Sequence, residues 1–181
     1  RSLELHPTEC PICRTGDGAR QLYPANFDPR ALNPEIFSAR RLPDRIHFRL
    51  VRCQVCGLVR SDPVAATHLL SQLYSQSDFT YQEQTQDLCR TYGRYLDDLA
   101  TCGAVKDTLL EIGCGNGFFL GEARARGYAE VRGVEPSKAA VERADPHVRS
   151  HIVCDVMRPG LFDSETFNVI CLFQVFDHIP D

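Results

Sequence analysis

Four cysteines stand in two equal spacings, Cys10-Pro11-Ile12-Cys13 and Cys53-Gln54-Val55-Cys56. Two residues between thiols let both sulfurs of a pair face one ion from a tight turn, and two such turns supply the four thiolates of a closed tetrahedral Zn2+ site. Such a site keeps no open position for water, so the zinc expected on Cys10, Cys13, Cys53 and Cys56 is structural. Gly57 follows the second pair and suits a turn that needs positive φ. The competing reading is a small core of reduced thiols. A redox disulfide fits less well, because neither pair sits between a strand and a helix. The spacer of 39 residues is longer than that of a compact zinc ribbon, and His6 and His47 read as surface histidines beside an already filled shell.

A second constellation follows the apolar run Thr108–Ile112: Glu111-Ile112-Gly113-Cys114-Gly115-Asn116-Gly117, then Phe118-Phe119-Leu120. Strand, glycine turn and helix in that order begin a βαβ unit that takes a nucleotide-like ligand at the strand's carboxyl end. The third glycine comes one residue earlier than in the dinucleotide fingerprint. The acid at Glu111 repels pyrophosphate and favours a ligand carrying an ammonium group. Together these disfavour NAD and favour a nucleoside bearing an amino acid. Glu135, 18 residues past Gly117, lies where an acid grips ribose hydroxyls. Asp155 ends a further strand, with a simple helix cap as its alternative role. His178 is the histidine placed after the fourth strand and is the candidate general base, against a packing or capping role. Cys114, Cys154 and Cys171 read as small core residues.

Elements must hold these groups. Pro24, Pro29, Pro34 and Pro43 argue against long helices between the cysteine pairs. Ile46–Arg52 alternates as a strand does and Leu58-Val59-Arg60 continues beyond the second pair. Ser61-Asp62-Pro63 breaks the chain. A short helix is expected over Val64–Tyr74, with Asp62 as cap and Pro63 at its first position. Residues 75–81 read as a loop, and Gln82–Cys102 as an amphipathic helix with Leu88, Tyr92, Tyr95, Leu96 and Leu99 on its apolar face, ended by Gly103. Tyr74, Phe79 and Tyr81 pack the modules together or form a lid. Then come strands at Thr108–Ile112, Val131–Val134, His151–Cys154 and Phe167–Val175. A helix over Lys138–Ala144 is capped by Ser137 and stopped by Pro146. The last run is apolar enough for burial on both faces. Alternating strands and helices predict a parallel α/β sheet. The organisation read from this is a zinc-binding β module over 1–62, a helical bridge or lid over 63–103, and a Rossmann-like nucleoside-binding part over 104–181 with about four parallel strands.

Composition narrows the function. Hydrophobic residues make up 43% and charged residues 24%, as in a globular protein. No apolar run reaches the ~20 residues of a membrane span, and no export signal is visible. Nine cysteines, an odd number, fit a reducing compartment better than a disulfide framework, so cytoplasm is expected. Net charge is −4, with +3 over residues 1–62 (ten Arg, seven acids) and −7 beyond (ten bases, seventeen acids). The acidic second part and only two lysines argue against a nucleic-acid partner.

Over about residues 85–181 the chain resembles the class I S-adenosylmethionine-dependent methyltransferases, most strongly in Glu111-Ile112-Gly113-Cys114-Gly115-Asn116-Gly117. The resemblance implies S-adenosyl-L-methionine as cofactor. It places Glu111, Gly113, Gly115 and Gly117 along the methionine part, Glu135 at the ribose, and Asp155 with Val156 at the adenine. Gln174, in the segment Phe173–Ile179, would lie near the reactive sulfur. The paired Cys-x-x-Cys ahead of this fold is similar to methyltransferases with an N-terminal zinc-binding domain, some of which act on nucleotide-linked sugars. The implied function is methyl transfer to a small molecule. The alternatives are a zinc-bearing binding or scaffold module without activity and an RNA methyltransferase. The family's sheet has more strands than these four, so the chain reads as C-terminally truncated. The fourth strand is expected to be an apolar edge that a further segment or self-association covers.

Overall fold

A computed structural model describes residues 5–16, 18–28, 46–76 and 85–176. Three sheets form among them. A two-stranded sheet pairs β1 (Leu5–His6) with β5 (Val64–Ala65) antiparallel, Leu5 facing Ala65. A three-stranded antiparallel sheet joins β2 (Arg20–Tyr23), β3 (Leu50–Arg52) and β4 (Val59–Ser61) in that order. The third sheet is parallel, in the order β8 (Ile152–Val153), β7 (Glu130–Val134), β6 (Thr108–Ile112), β9 (Val169–Leu172). The mixed α/β class and the four-stranded parallel sheet agree with the sequence reading.

Helices cover the parallel sheet. α2 (Thr85–Thr101), α3 (Phe118–Ala125), α4 (Lys138–Glu142) and α5 (Pro146–Arg149) follow α1 (Thr67–Ser75) in chain order. One core gathers Leu96 of α2, Leu109 of β6, Phe119, Leu120 and Ala123 of α3, Val131 of β7, Val148 of α5, and Val169 and Cys171 of β9. These residues recur at helical or alternating spacing, so burying one face of each element excludes water from all of them at once. Arg126 ties α2 to α3 by ion pairs to Asp97 and Glu122. No helix among the described residues is long and apolar enough to cross a membrane.

Several expectations need correction. The helix expected from Val64 begins only at Thr67, because Val64 and Ala65 are held as a strand against β1. Asp62 does not cap it. Its carboxylate instead accepts from the Thr8 amide at 2.7 Å and pairs with Arg49. The strand expected over Ile46–Arg52 is limited to Leu50–Arg52. Pro146 stops nothing: it occupies the first turn of α5, with the Asp145 side chain accepting from the His147 amide. On α2, Leu96 and Gly93 are buried, whereas Tyr95 and Leu99 are 52% and 38% exposed. β9 is not covered on both faces, since Ile170 is 55% exposed; it is the edge of the described sheet, as its place in the order implied. Cys154 is exposed rather than in the core, while Cys114 and Cys171 are buried. His6 is exposed, and His47 is half-buried, its Nδ1 bonded to the Phe48 carbonyl at 2.7 Å. Phe79 and Tyr81 lie outside the described residues.

Candidate cofactor site and cysteine cluster

The parallel register brings the carboxyl ends of all four strands level. Ile112 of β6 faces Val134 of β7 and Leu172 of β9, and Val134 faces Val153 of β8. The residues that follow, Gly113, Glu135, Asp155 and Gln174, therefore emerge along one rim. The glycine turn is pinned to β7 there: the amides of Gly113 and Cys114 donate to the Val134 carbonyl at 2.8 and 3.2 Å. Gly113 has φ +73°, and a Cβ on it would stand 2.4 Å from Val175 Cγ2, so the segment after β9 rests directly on the turn. Gly133 admits a second close approach, for its missing Cβ leaves room for Cys114 Sγ, which tucks beneath the turn. Gly117 then begins α3 as its N-cap.

Three carboxylates lie at or beside this rim. Glu111 is 3% exposed, and its Oε2 has no hydrogen-bond partner among the described residues. Burial, and then the charge of Glu135, push its carboxyl well above the ordinary value. Glu135 is better placed. Its Oε2 accepts from the Gly115 amide at 2.9 Å and its Oε1 from the Ser137 amide at 2.7 Å. Burial raises its pKa, and these two donors offset part of that rise. Ser137 accepts from the Ala140 amide as the expected cap of α4. Asp155 sits further out, its Oδ1 accepting from the Val156 amide at 2.7 Å and its Oδ2 facing Arg158 at 3.2 Å. Val156 is 43% exposed. Gln174 has φ +55° and donates from Nε2 to the Tyr92 hydroxyl at 3.2 Å. His178 lies outside the described residues. Tyr92 was legible only as one of the apolar positions of its helix; nothing in that periodicity reveals its polar contact with Gln174.

A cavity of about 290 Å³ lined by Glu130, Arg132, Phe162, Thr166 and Phe167 lies near the opposite, amino ends of the strands. It shares no residue with the rim.

The four paired cysteines do come together. The Sγ atoms of Cys10, Cys13, Cys53 and Cys56 all lie within 4.8 Å of one another, with Cys10 and Cys56 at 3.5 Å. A tetrahedral Zn–S site with bonds near 2.3 Å needs sulfur separations of about 3.8 Å, so the cluster fits one ion. Each pair sits on a turn whose last amide bonds back to the first cysteine's carbonyl: Arg14 to Cys10 at 2.7 Å, Gly57 to Cys53 at 3.0 Å. Gly57 has the expected positive φ, +80°. The Cys56 and Val55 amides hold the Cys53 thiolate down to about 6, whereas Cys13, crowded by Cys56 and by burial, is pushed up to about 12. One ion would remove that opposition by binding all four as thiolates.

A parallel sheet with a glycine turn at the end of one strand and a carboxylate at the end of the next is the arrangement on which doubly wound α/β folds place nucleotide-like ligands. The family model described as a methyltransferase domain matches residues 81–181, and the chain belongs to that family. The chain is also 35% identical over 94 residues to the ubiquinone biosynthesis O-methyltransferase of Alkalilimnicola ehrlichii. That stretch is 48% of this chain and 38% of the relative's length, so the chain spans well under half of the relative it matches.

Proposed function

We propose that the rim binds S-adenosyl-L-methionine and that the protein transfers the cofactor's methyl group to a small-molecule acceptor through an oxygen or an acidic carbon. Bound there, the cofactor supplies an electrophilic sulfonium methyl. The observation that carries this reading is the Glu111 carboxylate, buried two residues before the glycine turn with an oxygen that no described residue satisfies. A buried acid without a partner is costly, and an ammonium group at the turn would relieve it. Gly113, Gly115 and Gly117 let the ligand approach the backbone. Glu135 is oriented by two amide donors and can accept from ribose hydroxyls, with Asp155 and Val156 bordering the adenine. Gln174 borders the sulfur end. Residues of the rim thus bind and align, and the acceptor's proton passes to a base, for which His178 is the candidate. The name of the relative supports an oxygen acceptor. The clustered thiolates are proposed to hold a structural Zn2+.

Calorimetric titration of the zinc-loaded chain with S-adenosylhomocysteine tests the cofactor site. Micromolar binding that Gly115→Arg abolishes is expected. Absence of binding by the unaltered chain, or unchanged binding by the variant, would overturn the reading.

A further inference from the structure

The helix α2 precedes the parallel sheet in sequence, yet one of its side chains reaches the rim. The ring of Tyr92 stacks on Phe173, the residue just past β9, with centroids 3.9 Å apart and planes 4° from parallel. Its hydroxyl accepts from Nε2 of the next residue, Gln174, at 3.2 Å. Gln174 has φ +55°, a left-handed conformation that a residue with a Cβ keeps only when its surroundings hold it. The following Val175 is pressed against Gly113 of the turn. Residues 173–175 are thus clamped between a helix on one side and the glycine turn on the other.

Tyr92 is itself held. Its ring lies edge-on to Phe119, 6.2 Å away, and Phe119 is fully buried. One residue on, Gly93 gives passage to the Arg126 guanidinium, which a Cβ would meet at 2.5 Å. That guanidinium pairs with Asp97 and Glu122 and so fixes α2 against α3. The helix is therefore anchored in the turn that follows the tyrosine. The bond to Tyr92 uses one of the two N–H groups of Nε2 and fixes the plane of the Gln174 amide, and with it the direction of its second N–H and its carbonyl oxygen.

We infer that Tyr92 is a positioning residue of the cofactor site, which sets the side chain of Gln174 and the backbone of 173–175 at the sulfur end of the ligand. The inference rests on the cofactor reading proposed above. It assigns a role in the site to a helix that lies outside the sheet's own strands and loops.

The test compares Tyr92→Phe, Gln174→Ala and the double variant, each titrated with S-adenosylhomocysteine and with adenosine, beside thermal melts. Tyr92→Phe keeps the stack on Phe173 and removes only the hydroxyl. It should weaken S-adenosylhomocysteine about five- to tenfold and leave adenosine, which lacks the sulfur end, unchanged. The double variant should be no weaker than Gln174→Ala alone, because both changes break one interaction. Three results would overturn the inference: unchanged S-adenosylhomocysteine affinity in Tyr92→Phe, equal weakening of both ligands, or additive effects in the double variant. A melting midpoint far below that of the unaltered chain would make Tyr92 a packing residue and overturn it too. An unaltered chain that binds neither ligand would remove the cofactor reading, and this inference with it.

Discussion

In the antiparallel part of the molecule the deepest side chains include Cys10, Val51 and Cys53, two of them thiols of the cluster; in the parallel part they are Leu96, Leu109, Leu110, Phe119, Leu120 and Val131. The first set is too small and too polar to hold strands of two to four residues by burial alone. All of the second set but Leu110 belong to a contiguous apolar core spanning sheet and helices. With the zinc proposed above, the contrast teaches that the two regions would owe their order to different chemistry, one to ligation and one to exclusion of water, and should be separable.

Metal removal should separate them most sharply. Structural zinc contributes on the order of 10–16 kcal/mol of apparent binding energy in small modules. Chelation, or Cys53→Ser, is expected to strip hydrogen-exchange protection from β3 and β4 while β6 and β7 stay protected. Simultaneous loss in both sheets would break the comparison. The reciprocal experiment is Phe119→Ala. This ring is fully buried and lies edge-on to Phe173 at 4.8 Å. Its truncation should destabilise the parallel sheet by about 3–5 kcal/mol while zinc retention, measured by chelator competition, is unchanged.

A subtler effect sharpens the contrast inside the parallel region. The folded-state pKa of Glu111 is raised by burial and by Glu135, so the folded chain binds its proton more tightly than the unfolded chain does. Its contribution to stability is therefore greatest at acid pH and declines as pH rises above the ordinary carboxyl value. Glu111→Gln removes that decline. Melts from pH 5 to 8 should show the variant gaining on the unaltered chain as pH rises, by about 1–3 kcal/mol at the upper end, while its S-adenosylhomocysteine affinity falls. A constant gap across that range would refute the assignment. The smallest change expected is in the antiparallel region. Burial raises the Asp62 pKa, but the hydrogen bonds from Thr8 and Arg49 more than offset it and hold it below the ordinary value. That contribution is present above the unfolded pKa and lost as pH falls through the folded one. Asp62→Asn should cost about 1 kcal/mol in the zinc-loaded chain, read as a lower denaturant midpoint at neutral pH that closes toward acid.

Much of this was legible beforehand, for reasons that differ by element. The cysteine pairs, the glycine turn and the Ser137 cap each carry their chemistry within a few residues, so local spacing suffices. The parallel strands are short apolar runs whose parallel arrangement follows from the alternation with helices. What escaped depends on distant partners. β1 and β5 are two-residue strands defined only by each other. β2 acquires its register from β3, with an irregularity between Gln21 and Tyr23. Asp62 was read as a cap because of its neighbour Pro63, yet Thr8 and Arg49, remote in sequence, claim it. Asp145, not the preceding helix, gives Pro146 its meaning. Helical periodicity placed Tyr92 on an apolar face without disclosing that its hydroxyl meets a residue 82 positions later.

The pairing of Leu5 with Ala65 has a consequence for how such a chain can change over generations. It closes the whole antiparallel excursion, cysteine cluster included, at a single neck. A stretch whose two ends are strand partners can be exchanged for another of different length or chemistry with one junction to repair. The neighbouring parallel fold need not be rebuilt each time, so the module can vary as a cassette.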